Sequence, residues 1–142
     1  MATRMNVSCR YGTHLPALIK AMGKTTGDVL ELGMGVFSTP YLHYQCMLSN
    51  RKLLSVENFP DWAGFFKKYG YENASHQILV VDEYKNAPID KEWDLVLVDQ
   101  TPDSSRIVEA RRLANLAKFI VIHDSNGRKD NIYHYSEIYS LF

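Results

Sequence analysis

Five short apolar runs, separated by longer stretches of mixed polarity, are the feature of this sequence that most limits its possible folds. The apolar part of each run spans four to six residues, is rich in Val, Ile and Leu, and is apolar at odd and even positions alike. Strands covered on both faces, as in a parallel sheet, have this pattern. The runs are DVLELG (28–33), KLLSVEN (52–58), QILVVDE (77–83), WDLVLVDQ (93–100) and KFIVIHDS (118–125).

The stretches around these runs predict helices. They are THLPALIKAM (13–22), STPYLHYQCMLS (38–49), PDWAGFFKKYG (60–70) and PDSSRIVEARRLANLA (102–117). Ser38 or Thr39 and Asp103 or Ser104 are candidate N-caps, whereas the polar link 83–92 predicts only a turn. Alternating strands and helices predict an α/β fold: a doubly wound, mostly parallel sheet of about five strands with helices on both faces, as in Rossmann-like proteins.

Composition and charge limit the classes of function. The chain has 142 residues, of which 46% are hydrophobic and 23% charged, so we expect one globular domain over 1–142. Its 16 basic and 16 acidic residues cancel, which argues against general attraction to nucleic acid or an anionic membrane. No apolar run approaches a membrane span, and the first ten residues lack a secretory segment. Cys9 and Cys46 form no disulfide framework, so we expect a cytoplasmic protein with reduced thiols.

Every predicted strand runs into an acidic residue at or near its carboxyl end. These residues are Glu31, Glu57, Asp82, Asp99 and Asp124. The carboxyl ends of parallel strands share one edge, where ligands bind at the point at which the strand order reverses. Acids also follow strands simply because loops are polar and helix N-termini attract carboxylates. Five acids in five strands favour a binding edge with affinity for a cationic ligand.

The segment ELGMGVFST (31–39) predicts a loop that approaches the ligand. Gly33 and Gly35 let the backbone turn sharply, and the next helix would aim its free amides at the ligand. A dinucleotide-binding loop has a third glycine, but Ser38 stands in its place. Glu31 would repel a pyrophosphate and attract an ammonium or a sulfonium.

Two further acids indicate a nucleoside. Glu57 ends the second run, 22 residues after Gly35, where an acid typically accepts both hydroxyls of a ribose. Asp82 could accept a hydrogen bond from the exocyclic amine of adenine. The ligand indicated is therefore an adenosine joined to a cationic amino acid.

These segments resemble the motifs of class I S-adenosylmethionine-dependent methyltransferases. VLELGMGVFSTPYLH resembles the first motif, LLSVEN the second, ILVVDEY the third and WDLVLVDQTP the fourth, while FIVIHDSN is similar to the fifth strand. The upstream RYGTHL (10–15) resembles the segment that closes over the methionine moiety. The resemblance covers about residues 10–126 and implies S-adenosyl-L-methionine as cofactor. The cofactor-binding residues expected are Glu31, Gly33, Gly35, Ser38, Thr39, Glu57, Asn58, Asp82, Glu83 and Asp99.

The same resemblance implies methyl transfer to a small-molecule acceptor. Asp99 is the expected residue at the reaction centre, and His123 and Asp124 are further catalytic candidates, although His123 could instead be a packed histidine at a strand end. Some small-molecule O-methyltransferases hold a divalent cation between an acid after strand four and an Asp-Asn pair after strand five. Because Ser125 follows Asp124, and because the other histidines show no ligand spacing, we expect no metal.

The end of the chain departs from the seven strands of that family. Residues 126–142 predict a loop and one helix rich in aromatic residues, so we expect the last two strands to be absent. The sheet would then expose an edge that favours homo-oligomers, and Tyr133, Tyr135 and Tyr139 would cover it rather than line an acceptor pocket. Two other functions remain open: a nucleoside-binding module without turnover, and an NAD-binding Rossmann protein.

Overall fold

The computed structural model describes residues 8–142 and contains five strands and five α-helices in these residues. The strands are β1 (Val29–Leu32), β2 (Leu53–Glu57), β3 (His76–Val80), β4 (Trp93–Val98) and β5 (Ala117–Ile122). The helices are α1 (Leu15–Met22), α2 (Ser38–Leu48), α3 (Pro60–Lys68), α4 (Ser104–Leu113) and α5 (Asp130–Tyr133). Short 3₁₀ helices span Cys9–Gly12, Tyr84–Asn86, Gly127–Lys129 and Tyr135–Leu141.

The strands form one sheet in the order β3-β2-β1-β4-β5, and every neighbouring pair is parallel. The order reverses between β1 and β4, so the central strand β1 pairs with β2 on one side and β4 on the other. The predicted parallel α/β fold is therefore confirmed. The reversal places the carboxyl ends of β1 and β4 side by side, with a crevice above them.

Helices cover both faces of the sheet, which is why the strands are apolar at odd and even positions alike. On one face Leu30 and Leu32 pack with Leu113 of α4 and with the segment around Tyr84. On the other face Val29 packs with residues of α1 and α2, among them Leu18. All four residues of β1 are buried, as expected for the middle strand of a doubly wound sheet.

The end of α4 differs from the sequence prediction. The predicted helix extends to residue 117, but α4 ends at Leu113, and Ala117 begins β5. Two of the four buried residues of α4 are charged, Arg106 and Glu109. Apolar periodicity could not predict their burial, because each is buried beside charged partners rather than in an apolar core.

The prediction of one continuous helix near the end of the chain is wrong. Two short helical segments replace it, and they are separated at His134, whose φ is 56°. Tyr133 and Tyr135 stack on each other and pack against Ala110 of α4, whereas Tyr139 is exposed. The edge strand β5 keeps Phe119 40% exposed. Homo-oligomer formation along this edge stays a prediction.

None of the helices described in residues 8–142 is long and apolar enough to cross a membrane.

Replacing Gly33 by alanine is expected to destabilise the fold by at least ~2 kcal/mol. Gly33 has a φ of 86°, and a Cβ there would lie 2.6 Å from Cα of Gln100, so β1 and β4 would have to separate. Urea unfolding of both variants measures the change. The matched control is Gly64→Ala in α3, where a Cβ meets no atom within 4 Å and where alanine should stabilise the helix by ~0.5–1 kcal/mol. Equal stabilities of the two variants would contradict this explanation.

Candidate functional site

A cavity of about 290 Å³ lies at the carboxyl ends of β1, β4 and β5. It therefore occupies the place where the strand order reverses, which is where open α/β sheets bind ligands. Its walls combine aromatic and apolar groups with a group of charged side chains. The lining residues are Tyr11, Met34, Gly35, Val36, Trp62, Asp99, Thr101, Arg106, His123 and Asp124.

The loop after β1 forms one wall of this cavity and is fixed by hydrogen bonds. The amide of Gly35 donates to Oγ1 of Thr39 at 3.0 Å. The indole Nε1 of Trp62 donates to the carbonyl oxygen of Met34 at 2.8 Å, which ties α3 to the loop. The loop is thus held in place from two neighbouring elements before any ligand binds.

Glu31 lies beneath this loop rather than in the cavity. Its side chain is fully buried and accepts hydrogen bonds from the hydroxyls of Ser38 at 2.7 Å, Thr39 at 3.0 Å and Ser55 at 2.5 Å. Desolvation raises the pKa of Glu31 to about 7, although these three hydroxyls oppose the rise. The contacts give Glu31 the role of joining β1, β2 and α2; contact with a ligand stays a prediction.

Ser38 and Thr39 do not serve as N-caps by side-chain hydrogen bonds. The N-cap position of α2 is Phe37, and no side chain caps it. Both hydroxyls are instead engaged by Glu31 beneath the helix. The sequence could not separate these two uses, because a hydroxyl at a helix start fits either one.

A chain of buried polar groups continues from Glu31 through the sheet. Ser55 Oγ also lies 2.8 Å from Nε2 of His76, and Nδ1 of His76 lies 3.0 Å from Nδ1 of His43. Burial lowers the pKa of His76 to about 3. This histidine pair was not predicted, because its members come from α2 and β3 and are brought together only by the packing of that helix on the sheet.

Glu57 stands at the predicted strand end but is turned towards the backbone. One carboxylate oxygen accepts from the amide of Met34 at 2.9 Å, and the other accepts from the amides of Asn58 and Phe59, both at 2.9 Å. A carboxylate offers about four lone-pair sites, so one remains for a ligand hydroxyl. Glu57 is buried and does not itself line the cavity, although its hydrogen-bond partner Met34 does; its contact with a ribose stays a prediction.

The candidates after β3 lie outside the cavity. Asp82 and Glu83 are exposed, and Glu83 pairs with Lys85 at 2.7 Å. Asn58 is closer, because its amide nitrogen donates to the carbonyl oxygen of Thr101, which lines the cavity, at 2.9 Å.

The titratable groups of the cavity centre on Asp99 and His123. Nδ1 of His123 lies 2.8 Å from Oδ1 of Asp99, and Nε2 lies 3.0 Å from Oγ1 of Thr13. The hydrogen bond with Asp99 raises the pKa of His123 although burial opposes the rise. The alternative of a histidine packed against the backbone does not describe this ring, since both of its nitrogens face side chains.

Arg106 of α4 is a component of the site that sequence reasoning missed. Its side chain is 6% exposed, and Nη2 lies 3.1 Å from Oδ1 of Asp99 and 3.4 Å from Asp103. Nη1 lies 3.5 Å from Oδ2 of Asp124. The only sequence signal for this residue was its place in the first turn of the helix that follows the fourth acid. The guanidinium partly neutralises the carboxylates around the cavity.

Asp124 faces the cavity from the end of β5. Its φ is 59°, in the left-handed region that aspartate tolerates better than most residues. Burial opposes ionisation, but the hydrogen bond from Nζ of Lys129 at 2.8 Å helps to lower the pKa of Asp124. Ser125 and Asn126 are exposed beyond it.

His14, at the start of α1, packs against the same group. Its ring meets the ring of His123 edge to face, with centroids 4.8 Å apart. The side chain is buried, yet neither ring nitrogen has a hydrogen-bond partner. Burial lowers the pKa of His14. The upstream segment 10–15, which was singled out in the sequence, thus reaches the site through Tyr11, Thr13 and His14.

The structure therefore brings together Gly35 and the three predicted catalytic residues, Asp99, His123 and Asp124, around one cavity. Gly33 begins the loop that lines this cavity, and Glu31 and Glu57 lie behind that loop.

The sequence matches no family model, and a search of curated proteins gives no match.

The buried carboxyl group of Glu31 is expected to make stability fall as pH rises. Its pKa is about 7 in the folded chain and 4.5 when exposed, so between these values the folded state binds the extra proton. The free energy of unfolding should therefore fall by roughly 3 kcal/mol from pH 4.5 to pH 7 and then level off. Glu31→Gln should lack this contribution.

The measurement is the difference between wild type and Glu31→Gln in denaturant unfolding at pH 5 and pH 8. The difference is needed because His76, whose pKa is lowered to about 3, contributes an opposite slope below its unfolded value. Glu92→Gln, at an exposed position, is the matched control and should track wild type. If the free energy of unfolding of Glu31→Gln depended on pH as that of wild type does, folding would not raise the pKa of Glu31.

Proposed function

We propose that the chain is a methyltransferase that binds S-adenosyl-L-methionine at the carboxyl edge of its sheet and methylates a small-molecule acceptor. The observation that carries the proposal is the Asp99–His123 pair, which lines a cavity at the reversal of strand order beside a glycine-containing loop. Ligand binding at this place is the general behaviour of open α/β sheets. The motif resemblance supplies the identity of the cofactor.

The charges around the cavity support a cationic ligand over a pyrophosphate. Asp99 and Asp124 both line it, and Arg106 contacts both of them. A pyrophosphate would meet these two carboxylates in the cavity, whereas a sulfonium would be attracted by them.

The apolar part of the lining supports a flat or thioether-bearing ligand. Met34 and Trp62 form one side of the cavity and Tyr11 another. A volume of about 290 Å³ lies at the lower end of the range for small-molecule sites. We infer that the exposed segment 9–13 moves outward to admit cofactor and acceptor together.

The proposed chemistry is an in-line displacement at the methyl carbon. A lone pair of the acceptor forms the new bond to carbon, the bond from carbon to sulfur breaks, and S-adenosylhomocysteine leaves as a neutral thioether. Asp99 holds Nδ1–H of His123, so Nε2 can take the proton of an acceptor hydroxyl or amine. In this proposal the acceptor displaces the hydroxyl of Thr13 from Nε2, and alignment in the cavity supplies much of the rate.

Ligand binding is the first test. Calorimetry should give tighter binding of S-adenosylhomocysteine than of NAD, and native mass spectrometry should find the same nucleoside in freshly purified protein. Glu57→Gln should weaken binding about tenfold, because a charge-assisted hydrogen bond contributes about 1.5 kcal/mol; Glu92→Gln is the matched control. Preference for NAD would replace the proposal with a Rossmann oxidoreductase.

Turnover separates an enzyme from a module that only binds the nucleoside. His123→Ala should lower kcat by ~10²–10⁴ as expected for loss of a general base, while the Kd for S-adenosylhomocysteine changes less than threefold. Release of S-adenosylhomocysteine with a panel of hydroxyl and amine acceptors measures this. His134→Ala, which removes an exposed imidazole, should leave kcat unchanged. Cofactor binding without release on any acceptor would favour the module.

A further inference from the structure

We propose that His14, Asp99 and His123 form a binding site for a divalent first-row transition ion, with Zn²⁺ as the best fit. The three side chains come from the start of α1 and from the ends of β4 and β5. The site is separate from the Asp-Asn set considered in the sequence, because neither Asp124 nor Asn126 belongs to it. It goes beyond methyl transfer and does not depend on that proposal.

The first argument is distance. One nitrogen of each histidine and one carboxylate oxygen of Asp99 all lie within 4.8 Å of one another. Nδ1 of His123 and Oδ1 of Asp99 are already 2.8 Å apart. Ligands held at about 2.0–2.2 Å from an ion are separated by roughly 3–3.5 Å, so small shifts of the three side chains would let them share one ion. An ion between Nδ1 and Oδ1 would replace their hydrogen bond.

The second argument is the state of His14. This side chain is 6% exposed, and both of its ring nitrogens lack a partner. A buried polar atom without a partner is destabilising, and such atoms are rare in native proteins. The ring packs against His123, the one histidine in residues 8–142 that lines the cavity. An ion would give one nitrogen of His14 the partner that it lacks.

The donor set selects the kind of ion. Two imidazoles and one carboxylate suit Zn²⁺, Fe²⁺ or Co²⁺, whereas Mg²⁺ and Ca²⁺ prefer oxygen ligands. Three protein ligands leave at least one coordination position open. Because Asp99 and His123 line the cavity, that position would face it, and an oxygen of a bound ligand could fill it.

The surrounding charges can accommodate the ion. Nη2 of Arg106 lies 3.1 Å from Oδ1 of Asp99, and its positive charge opposes the binding of a cation there. The same guanidinium also contacts Asp103 and Asp124. Asp124 Oδ2 lies 3.7 Å from Nδ1 of His123 and contributes a second negative charge near the site. Lys129 pairs with the other oxygen of Asp124. Asp99, Asp103 and Asp124 together outnumber Arg106 and Lys129 by one negative charge, which would offset part of the charge of the ion.

The test is titration of the full chain with Zn²⁺ by calorimetry and with Co²⁺ by visible absorption, without nucleoside or acceptor. A Cys9→Ser background removes the exposed thiol. We expect one ion per chain. His14→Phe keeps the ring contact with His123 and should weaken binding at least ~100-fold, since even the loss of outer-shell partners costs 10–100-fold. His134→Ala removes an exposed imidazole and should bind as tightly as wild type.

A measurement on the unsubstituted chain keeps the test valid if His14→Phe folds poorly. Assigned ring signals of the five histidines, followed by NMR as Zn²⁺ is added, should shift for His14 and His123 only. Shifts confined to His43 and His76, undiminished affinity in His14→Phe, or no binding would each overturn the proposal. Ion binding together with no affinity for S-adenosylhomocysteine would instead refute the methyltransferase while supporting this site.

Discussion

The burial of one carboxyl group, that of Glu31, is the constraint on which the arrangement of the site depends. A carboxyl group in the middle strand of a covered sheet is stable only if nearby groups bond it. Ser38 and Thr39 from the start of α2 and Ser55 from β2 supply those bonds. The same bonds fix where α2 begins, and so they fix the loop between β1 and α2 that lines the cavity.

Asp99 has the corresponding position on the other side of the strand reversal. Its side chain joins His123 and Arg106, and its backbone packs so closely on Gly33 that no Cβ fits between them. The floor of the cavity is therefore made of backbone and of paired side chains, which are rigid. Its outer wall is the exposed segment around Tyr11, so adaptation to a ligand is expected on that side only.

The fold could be predicted from the sequence because it depends on periodicity. All five strands and the first four helices follow from apolar runs and their separation, and the sheet edge that gathers Asp99, His123 and Asp124 follows from parallel topology. The features that could not be predicted depend on contacts between residues that are distant in the sequence. Nothing local marks Arg106 as buried, or Glu31 as bonded by Ser55, and Thr13 meets His123 across 110 residues. The direction of a side chain at a strand end could not be predicted either. Glu57, for example, accepts hydrogen bonds from backbone amides.

The two proposals make competing demands on the same lone pairs. A ring nitrogen of His123 that binds an ion cannot also take a proton from an acceptor, and Asp99 cannot direct the ring while it ligates. If an ion binds, His14, Asp99 and His123 would hold it, and in place of the base it would supply a lowered pKa for a hydroxyl bound at its open position. If it does not bind, His14 stays buried without a partner, and the Asp99–His123 pair acts alone. Both proposals therefore depend on Asp99, because among the described residues it is the one carboxylate that contacts both the imidazole of His123 and the guanidinium of Arg106 at 3.1 Å or less.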